Sequence, residues 1–365
     1  MLAVPSLHGG GAERLMVHLA NHLDRERFAP TLALGARRGP YLGDVRDDVP
    51  IHVLGAERAR RAVPAMVRAL RTIAPDVVLS SVGFNFAVAL ARPFVSGRLG
   101  VIFREGNSAS AFLADVARTS RARATLYRAV YRLLYRRADR IVCQSDFMLG
   151  DLAKNFGIAP ARMTRIYNAV DVDAIHARCV EPVVYPGRGP HIVTAGKLEY
   201  QKGYDVLLPA MARVLRAYPD ATLSILGEGG ERAALGALAA RLGIDRAVRF
   251  LGFQGNPFPY FKGADLFVLA SRYEGFANVI TEAMACGTPV VATDCPGASR
   301  EVIEPGVTGW LAGNEDAESL AAAIDTALGA LDHVDRKHVA QVCEQRFSVD
   351  RITASYAAEI ERCAA

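Results

Sequence analysis

Short unbroken apolar runs recur along this chain, and a stretch with helical spacing follows most of them. In the first half the runs are PTLALGA (30–36), PIHVLGA (50–56), PDVVLSSV (75–82), LGVIFRE (99–105) and DRIVCQS (139–145). In the second they are PHIVTAGKL (190–198), ATLSILGEG (221–229), VRFLGFQ (248–254), ADLFVLASR (264–272) and TPVVATD (288–294). The helical stretches between them include Ala12–Leu23, Val63–Ile73, Tyr204–Ala217, Glu231–Leu242 and Val279–Cys286. A strand with one wet face alternates apolar and polar residues. These runs do not, so both faces of each sheet are expected to be covered. Strands alternating with helices predict an α/β chain of doubly wound parallel sheets. A chain of 365 residues is long enough for two such Rossmann-like domains.

The stretch CVEPVVYPGRGP (179–190), with three prolines and two glycines, separates the halves. The expected domains run 1–180 and 188–345. The last segment, 346–365, reads as a terminal helix capped by Ser348 that crosses back to the first domain. Only Leu2–Val4 precede Pro5, so the first strand is short, and the start as given is expected to cut into it. The N-terminus lacks a signal-peptide layout, and no apolar run reaches the roughly 18 residues of a membrane span. A cytoplasmic location is therefore expected. Six scattered cysteines without a CxxC pair predict reduced thiols and no zinc site.

Charge is unevenly spread. Residues 1–180 hold 26 Lys/Arg against 15 Asp/Glu, whereas residues 181–365 hold 17 against 23. A basic first half suits an anionic partner. Its densest part is RTSRARATLYRAVYRLLYRRADR (118–140), with eight arginines opposed only by Asp139. Leucines and tyrosines interleave there at helical spacing. The segment reads either as a helix lying on an anionic membrane or as an ordinary helix packed by its Leu/Tyr face. Nucleic acid is the poorer fit, because no binding motif accompanies the charge.

Doubly wound sheets bind ligands outside the carboxyl ends of their strands, so the chemistry is expected in the loops there. In SLHGGGAERLMVHLANHL (6–23) a strand runs through glycines into a helix. Its three glycines let backbone come close to a ligand, and the helix N-terminus that follows supplies N–H groups for an anion; a tight strand–helix turn is the alternative. Neither GxGxxG nor GxxxxGK[ST] is present in this loop. His8 lies in the same loop. In TAGKLEYQKGYDVLL (194–208), Lys197 and Lys202 bracket a strand–helix loop, where they would clamp a diphosphate as point charges or remain solvated surface lysines. In RYEGFANVITEAMACGTPVVATDCPG (272–297), Glu274 falls in a loop and Glu282, eight positions on, falls about one turn into a helix. The N–H groups around Ala277–Val279 would meet a phosphate. The carboxylates would accept sugar hydroxyls, or be ordinary loop and helix charges.

Together these loops resemble the retaining glycosyltransferases of the GT-B fold, in particular glycosyltransferase family 4. The family's E-x7-E pattern stands as EGFANVITE (274–282), followed by AMACGTPVVATD. Its G-R-L-x(3–4)-K-G stands as GKLEYQKG (196–203), with Lys197 where arginine is usual. Its glycine-rich first loop stands as GGAER (10–14). ADRIVCQS (138–145), IYNAVDVDAI (166–175), FLGFQGNPFPYFKGADLFVLASR (250–272) and GVTGWL (306–311) are also similar, so the resemblance covers nearly the whole chain.

The resemblance implies a nucleotide-sugar donor held by the second of two domains facing a cleft. Lys197 and Lys202 would neutralise the departing diphosphate and Glu282 would bind the ribose. Glu274 would contact the transferred sugar, with backbone N–H groups of Phe276, Ala277, Asn278 and Val279 in support. Phe253 and Gln254 would lie near the base, and Gly10 and Gly11 over the diphosphate. Transfer would retain the anomeric configuration and need no metal and no cofactor. The family's usual histidine after the strand LGVIF is missing, since FREGNSAS (103–110) contains none. Arg104, Glu105, Asn107 and His8 become candidates for acceptor or sugar contacts. The expected activity moves a hexose or N-acetylhexosamine from a UDP-sugar, in preference to a GDP-sugar, to a saccharide or polyprenyl-linked glycan in surface polysaccharide (lipopolysaccharide) synthesis, at the inner face of a membrane. The alternatives are a nucleotide-sugar 2-epimerase of the same fold and a non-catalytic sugar-nucleotide-binding protein. A dinucleotide-dependent dehydrogenase is a weaker one, resting only on LGEGGER (226–232).

Overall fold

The computed structural model describes every residue except Gly9, Glu181, Pro182, Val184, Pro186 and Arg188. The chain divides into two compact units, Met1–Ala169 with Val349–Ala365, and Val170–Ser348. The division falls before the 179–190 stretch, part of which lies outside the described residues.

The first unit carries strands β1 (Leu2–Val4), β2 (Leu32–Leu34), β3 (Ile51–Val53), β4 (Val77–Ser81), β5 (Gly100–Arg104), β6 (Arg140–Cys143) and β7 (Met163–Arg165). They pair in parallel in the order β3-β2-β1-β4-β5-β6-β7. The inner strands β1, β2, β4 and β5 are buried along their whole length, as expected of a sheet covered on both faces. One face packs on Met66, Leu70, Phe84 and Tyr135. The other packs on Leu15, Met16 and Leu19, joined by Val349, Ile352 and Tyr356 of the helix Val349–Ala364. That helix is further tied down by Arg140 Nε, 2.9 Å from the buried Glu359 carboxylate. Backbone fit matters as well. A Cβ on Gly100 would stand 2.7 Å from the Cys363 carbonyl oxygen.

The second unit carries β8 (His191–Ala195), β9 (Thr222–Leu226), β10 (Val248–Gly252), β11 (Leu266–Leu269), β12 (Val290–Thr293) and β13 (Gly309–Ala312). These are again parallel, in the order β10-β9-β8-β11-β12-β13. The helix Tyr204–Ala217 shows how its sequence dictates packing. Tyr204, Leu207, Leu208, Met211 and Val214 stand at i, i+3, i+4, i+7 and i+10, and all are buried against the sheet. Strand order reverses between β1 and β4 in one unit and between β8 and β11 in the other. Beyond the carboxyl ends of such neighbours the connections part to opposite faces, leaving a crevice for a ligand.

Candidate active site

In the second unit the loops after β8 and β11 meet at this crevice. Gly203, with φ +64, lies so close to the β11 loop that a Cβ there would stand 2.0 Å from the Ala270 carbonyl oxygen. This contact brings together residues 72 apart in sequence: Lys202 Nζ lies 2.5 Å from Glu274 Oε1. The same oxygen accepts a 2.7 Å hydrogen bond from the Ser271 hydroxyl. Among the described residues Glu274 Oε2 is touched only at 3.5 Å, by Gln201 Nε2, which donates a better bond of 2.9 Å to the Tyr273 carbonyl. Glu274 is 7% exposed. One carboxylate oxygen is therefore anchored and the other weakly engaged.

A second cation fixes the loops without entering this contact. Arg272, 8% exposed, bonds both Asp205 oxygens at 2.8 Å, Glu315 at 3.0 Å and the Tyr200 carbonyl at 2.7 Å. Its guanidinium also lies over the Tyr200 ring at 3.9 Å. Burial works to lower its pKa, but Asp205 and Glu315 outweigh burial and raise it. From behind, the Thr293 hydroxyl donates to the Ser271 carbonyl at 2.6 Å, and Glu274 N–H donates to Pro296 at 2.9 Å.

The helix Asn278–Ala285 begins immediately after this loop. Its N-cap, Ala277, has φ +52, a left-handed conformation that costs a non-glycine residue about 1–2 kcal/mol. The helix places its first-turn N–H groups beside the Glu274 loop. Glu282 is buried in its second turn. Phe276 turns its ring inward onto Phe347, 5.5 Å away, which leaves backbone as its contribution to the loop's surface. Lys197 is exposed at the start of the β8 loop, just after the strand.

The β9 loop adds a part that the motifs did not single out for binding. A depression of about 490 Å³ is lined by Gly227, Glu228, Gly229, Arg232 and Phe250–Gly252. Arg232 stacks over Phe250 at 3.9 Å. A Cβ on Gly227 would stand 1.9 Å from the Gly196 carbonyl oxygen, so this loop abuts the β8 loop. Phe253, 71% exposed, and Gln254, which donates to Leu251 at 2.7 Å, follow the depression directly. The signal was the glycine cluster in LGEGGER, which does not match a dinucleotide fingerprint.

In the first unit, Gly10 caps the helix Gly11–His22 with extended backbone, and His8 is exposed beside it. Gly9 lies outside the described residues. The Glu13 carboxylate folds back over this N-terminus, 2.3 Å from where a Cβ on Gly10 would be. A diphosphate at Gly10 and Gly11 would have to move it aside. Arg104 is buried, bonding Ser81 at 3.1 Å and Asn168 at 2.7 Å. Both Glu105 oxygens have partners. Oε1 accepts from Gly106 and Asn107 N–H, and Oε2 from the Tyr135 hydroxyl at 2.5 Å. Burial raises the Glu105 pKa despite these bonds. The Asn107 side chain accepts from Ser108 N–H at 2.9 Å. After β4, exposed Val82 has φ +57, which a β-branched residue rarely adopts. Val82 and Ala277 thus place strained backbone after the same strand of each reversal, β4 and β11.

Two family descriptions divide the chain between them. Glycosyltransferase Family 4 matches residues 9–174, and Glycosyl transferases group 1 matches residues 189–330. The chain belongs to glycosyltransferase family 4. This member shares 35% identity over 196 residues with a Campylobacter jejuni protein named N-acetylgalactosamine-N,N'-diacetylbacillosaminyl-diphospho-undecaprenol 4-alpha-N-acetylgalactosaminyltransferase, covering 54% of this chain and 52% of that one. It shares 34% identity with the lipopolysaccharide core biosynthesis glycosyltransferase LpsE of Rhizobium meliloti, covering 47% of this chain and 49% of that one. It spans about half the length of the curated relatives it matches. Anabaena HepE, solved in complex with UDP, superposes with a TM-score of 0.76 over 99% of both chains at 21% identity. The two parallel-sheet domains are those of the GT-B fold.

Proposed function

We propose that this family 4 protein is a retaining glycosyltransferase of surface polysaccharide synthesis. It takes a hexose or N-acetylhexosamine from a nucleotide sugar, UDP-linked in preference to GDP-linked, and passes it to a saccharide or polyprenyl-linked glycan. The observation that carries this reading is the Lys202–Glu274 contact at the β8/β11 crevice, where a cation and a carboxylate face one site beside a helix N-terminus. In this reading Lys202, joined by Lys197, turns to the departing diphosphate and stabilises charge that develops only as the bond breaks. Ser271 keeps its hold on Glu274 when the lysine leaves, and Glu274 presents Oε2 to a sugar hydroxyl. Glu282 binds the ribose, and the depression at Arg232 and Phe250 takes the base. Positive charge then comes from the chain itself, without a metal. Supporting the substrate classes are the diphospho-undecaprenol in the name of the Campylobacter relative, the lipopolysaccharide core in that of the Rhizobium relative and the UDP in HepE.

Among the described residues no helix is long and apolar enough to cross a membrane. The proposed approach to a lipid-linked acceptor is peripheral, at a cytoplasmic membrane face, through the helix Arg121–Leu134. Leu126 is 60% exposed and Leu133 64%, amid exposed Arg121, Arg123 and Arg132.

The test is a donor panel. The protein is incubated with UDP- and GDP-sugars, with and without chelator, and released nucleotide diphosphate and thermal shifts are measured. A shift and slow release with one UDP-sugar, unaffected by chelator, is the expected result. No response to any donor overturns the proposal.

A further inference from the structure

The second unit holds two cysteines that the donor site does not use. Cys179 follows the short helix Val172–Ala177, and Cys286 ends the helix Asn278–Ala285. Their sulfurs lie 3.7 Å apart, and both residues are buried. The helices that carry them are joined independently. His176 Nε2 lies 2.9 Å from the Ala285 carbonyl, which can only accept, so this nitrogen carries the proton. Closing the sulfurs to a disulfide's roughly 2.05 Å takes less than about 2 Å of approach, the scale of a side-chain rotation. The other cysteines are placed differently. Cys343 donates to the Thr281 carbonyl and Cys295 contacts the Ser299 hydroxyl.

We infer that Cys179 and Cys286 form a redox-active dithiol, an oxidative modification site that a peroxide converts to a disulfide and a small thiol reductant restores.

The surroundings assign the order of events. The Cys286 hydrogen bond pulls the Cys179 pKa down to about 7 against the opposing effect of burial, with Lys262, His176 and Arg178 adding to it. The Cys286 pKa is pushed up by the same bond and by burial, with Glu282 adding and Arg336 opposing. Cys179 is therefore the nucleophile. Its thiolate attacks one peroxide oxygen. The O–O bond breaks, hydroxide leaves, and Cys179 becomes a sulfenic acid. Cys286 sulfur then attacks the Cys179 sulfur, forming the S–S bond as the S–O bond breaks. The Cys286 proton goes to the departing oxygen. Two thiols are oxidised by two electrons and one peroxide is reduced to two waters.

The product clips the end of the helix bearing Glu282 to the segment that follows Val172–Ala177. It closes a loop of 107 residues. A loop of that length is among those for which a crosslink most restricts the unfolded chain.

The experiment uses the full chain, reduced and desalted, then exposed to hydrogen peroxide without denaturant. Free thiols are capped with an alkylating reagent and the digest is read by mass spectrometry. The expected product is a Cys179–Cys286 linked peptide, lighter than its two free parts by about 2 Da and reversed by dithiothreitol. It is absent from both Cys179→Ser and Cys286→Ser, and its formation quickens as pH rises through about 7. On oxidation the thermal midpoint rises by about 5–15 °C in the parent protein. If Cys286→Ser fails to fold, Cys179→Ser and the parent's midpoint shift still decide the matter. Sulfinic acid at single cysteines, linkage of a different pair, or no linked peptide would each overturn the assignment.

Discussion

Removing Lys202 tests the central contact before any substrate is known. Lys202→Met keeps an unbranched side chain but strands Glu274, whose side chain is 9% exposed against 19% for the lysine. At 2.5 Å the pair's attraction is about 7 kcal/mol at an effective dielectric of about 20, before desolvation is subtracted. Breaking a buried pair from one side typically costs about 3–5 kcal/mol, and the partly wet lysine places this one near about 3 kcal/mol. Glu274→Gln should cost less, about 1 kcal/mol, because the Ser271 bond survives on an amide oxygen and the lysine can reach water. The double variant should cost about 2 kcal/mol, so the two changes couple by about 2 kcal/mol. Urea midpoints for the four proteins supply the cycle. Thermal midpoints should fall by about 6–12 °C for Lys202→Met and about 2–4 °C for Glu274→Gln. Equal single-variant costs that simply add in the double variant would refute the argument, since the carboxylate would then not depend on its lysine.

Three further outcomes are expected. Glu282→Ala should weaken nucleotide-sugar binding about 10- to 100-fold by calorimetry, whereas Glu274→Ala should mainly slow transfer; if neither alters donor handling, the pocket is misplaced. Burial raises the Glu105 pKa, so the stability this group contributes is complete below the ordinary carboxylate range and is lost as pH rises through the folded value. Urea midpoints of Glu105→Gln should accordingly gain on the parent between pH 5 and pH 8, and a constant gap would contradict the assignment. Leu126→Ser with Leu133→Ser should reduce binding to anionic vesicles about tenfold or more while leaving donor binding unchanged, and undiminished vesicle binding would remove this helix as the docking face.

What the sequence revealed depended on how far each signal reached along the chain. The long apolar runs became strands, and Tyr204–Ala217 begins and ends as its spacing predicts. β7 and β13 carry no strand signal in the sequence. MTR and GWLA are short and lack an unbroken β-branched run, and pairing with β6 and β12 at the sheet margins makes them strands. Motifs named Lys202 and Glu274 separately. Their contact spans 72 residues and exists because β8 and β11 are neighbours, which local spacing does not encode. Ser271 carries no signal of its own, because a serine near a strand end has no distinctive pattern. Glu105 stands in FREGNSAS at the end of β5, where a ligand contact is expected. Only the fold shows Tyr135, from a helical segment 30 residues on, bonded to its carboxylate.

The helix Val349–Ala364 has a consequence for synthesis. The second unit, Val170–Ser348, is continuous in sequence, whereas the first needs residues 349–365 to finish its core. Domains usually fold in the order in which the ribosome delivers them. Here the unit begun first is completed last, so the part of its core that Val349, Ile352 and Tyr356 finish stays open while the second unit emerges and folds. For a nascent chain, that interval is when a chaperone is most needed.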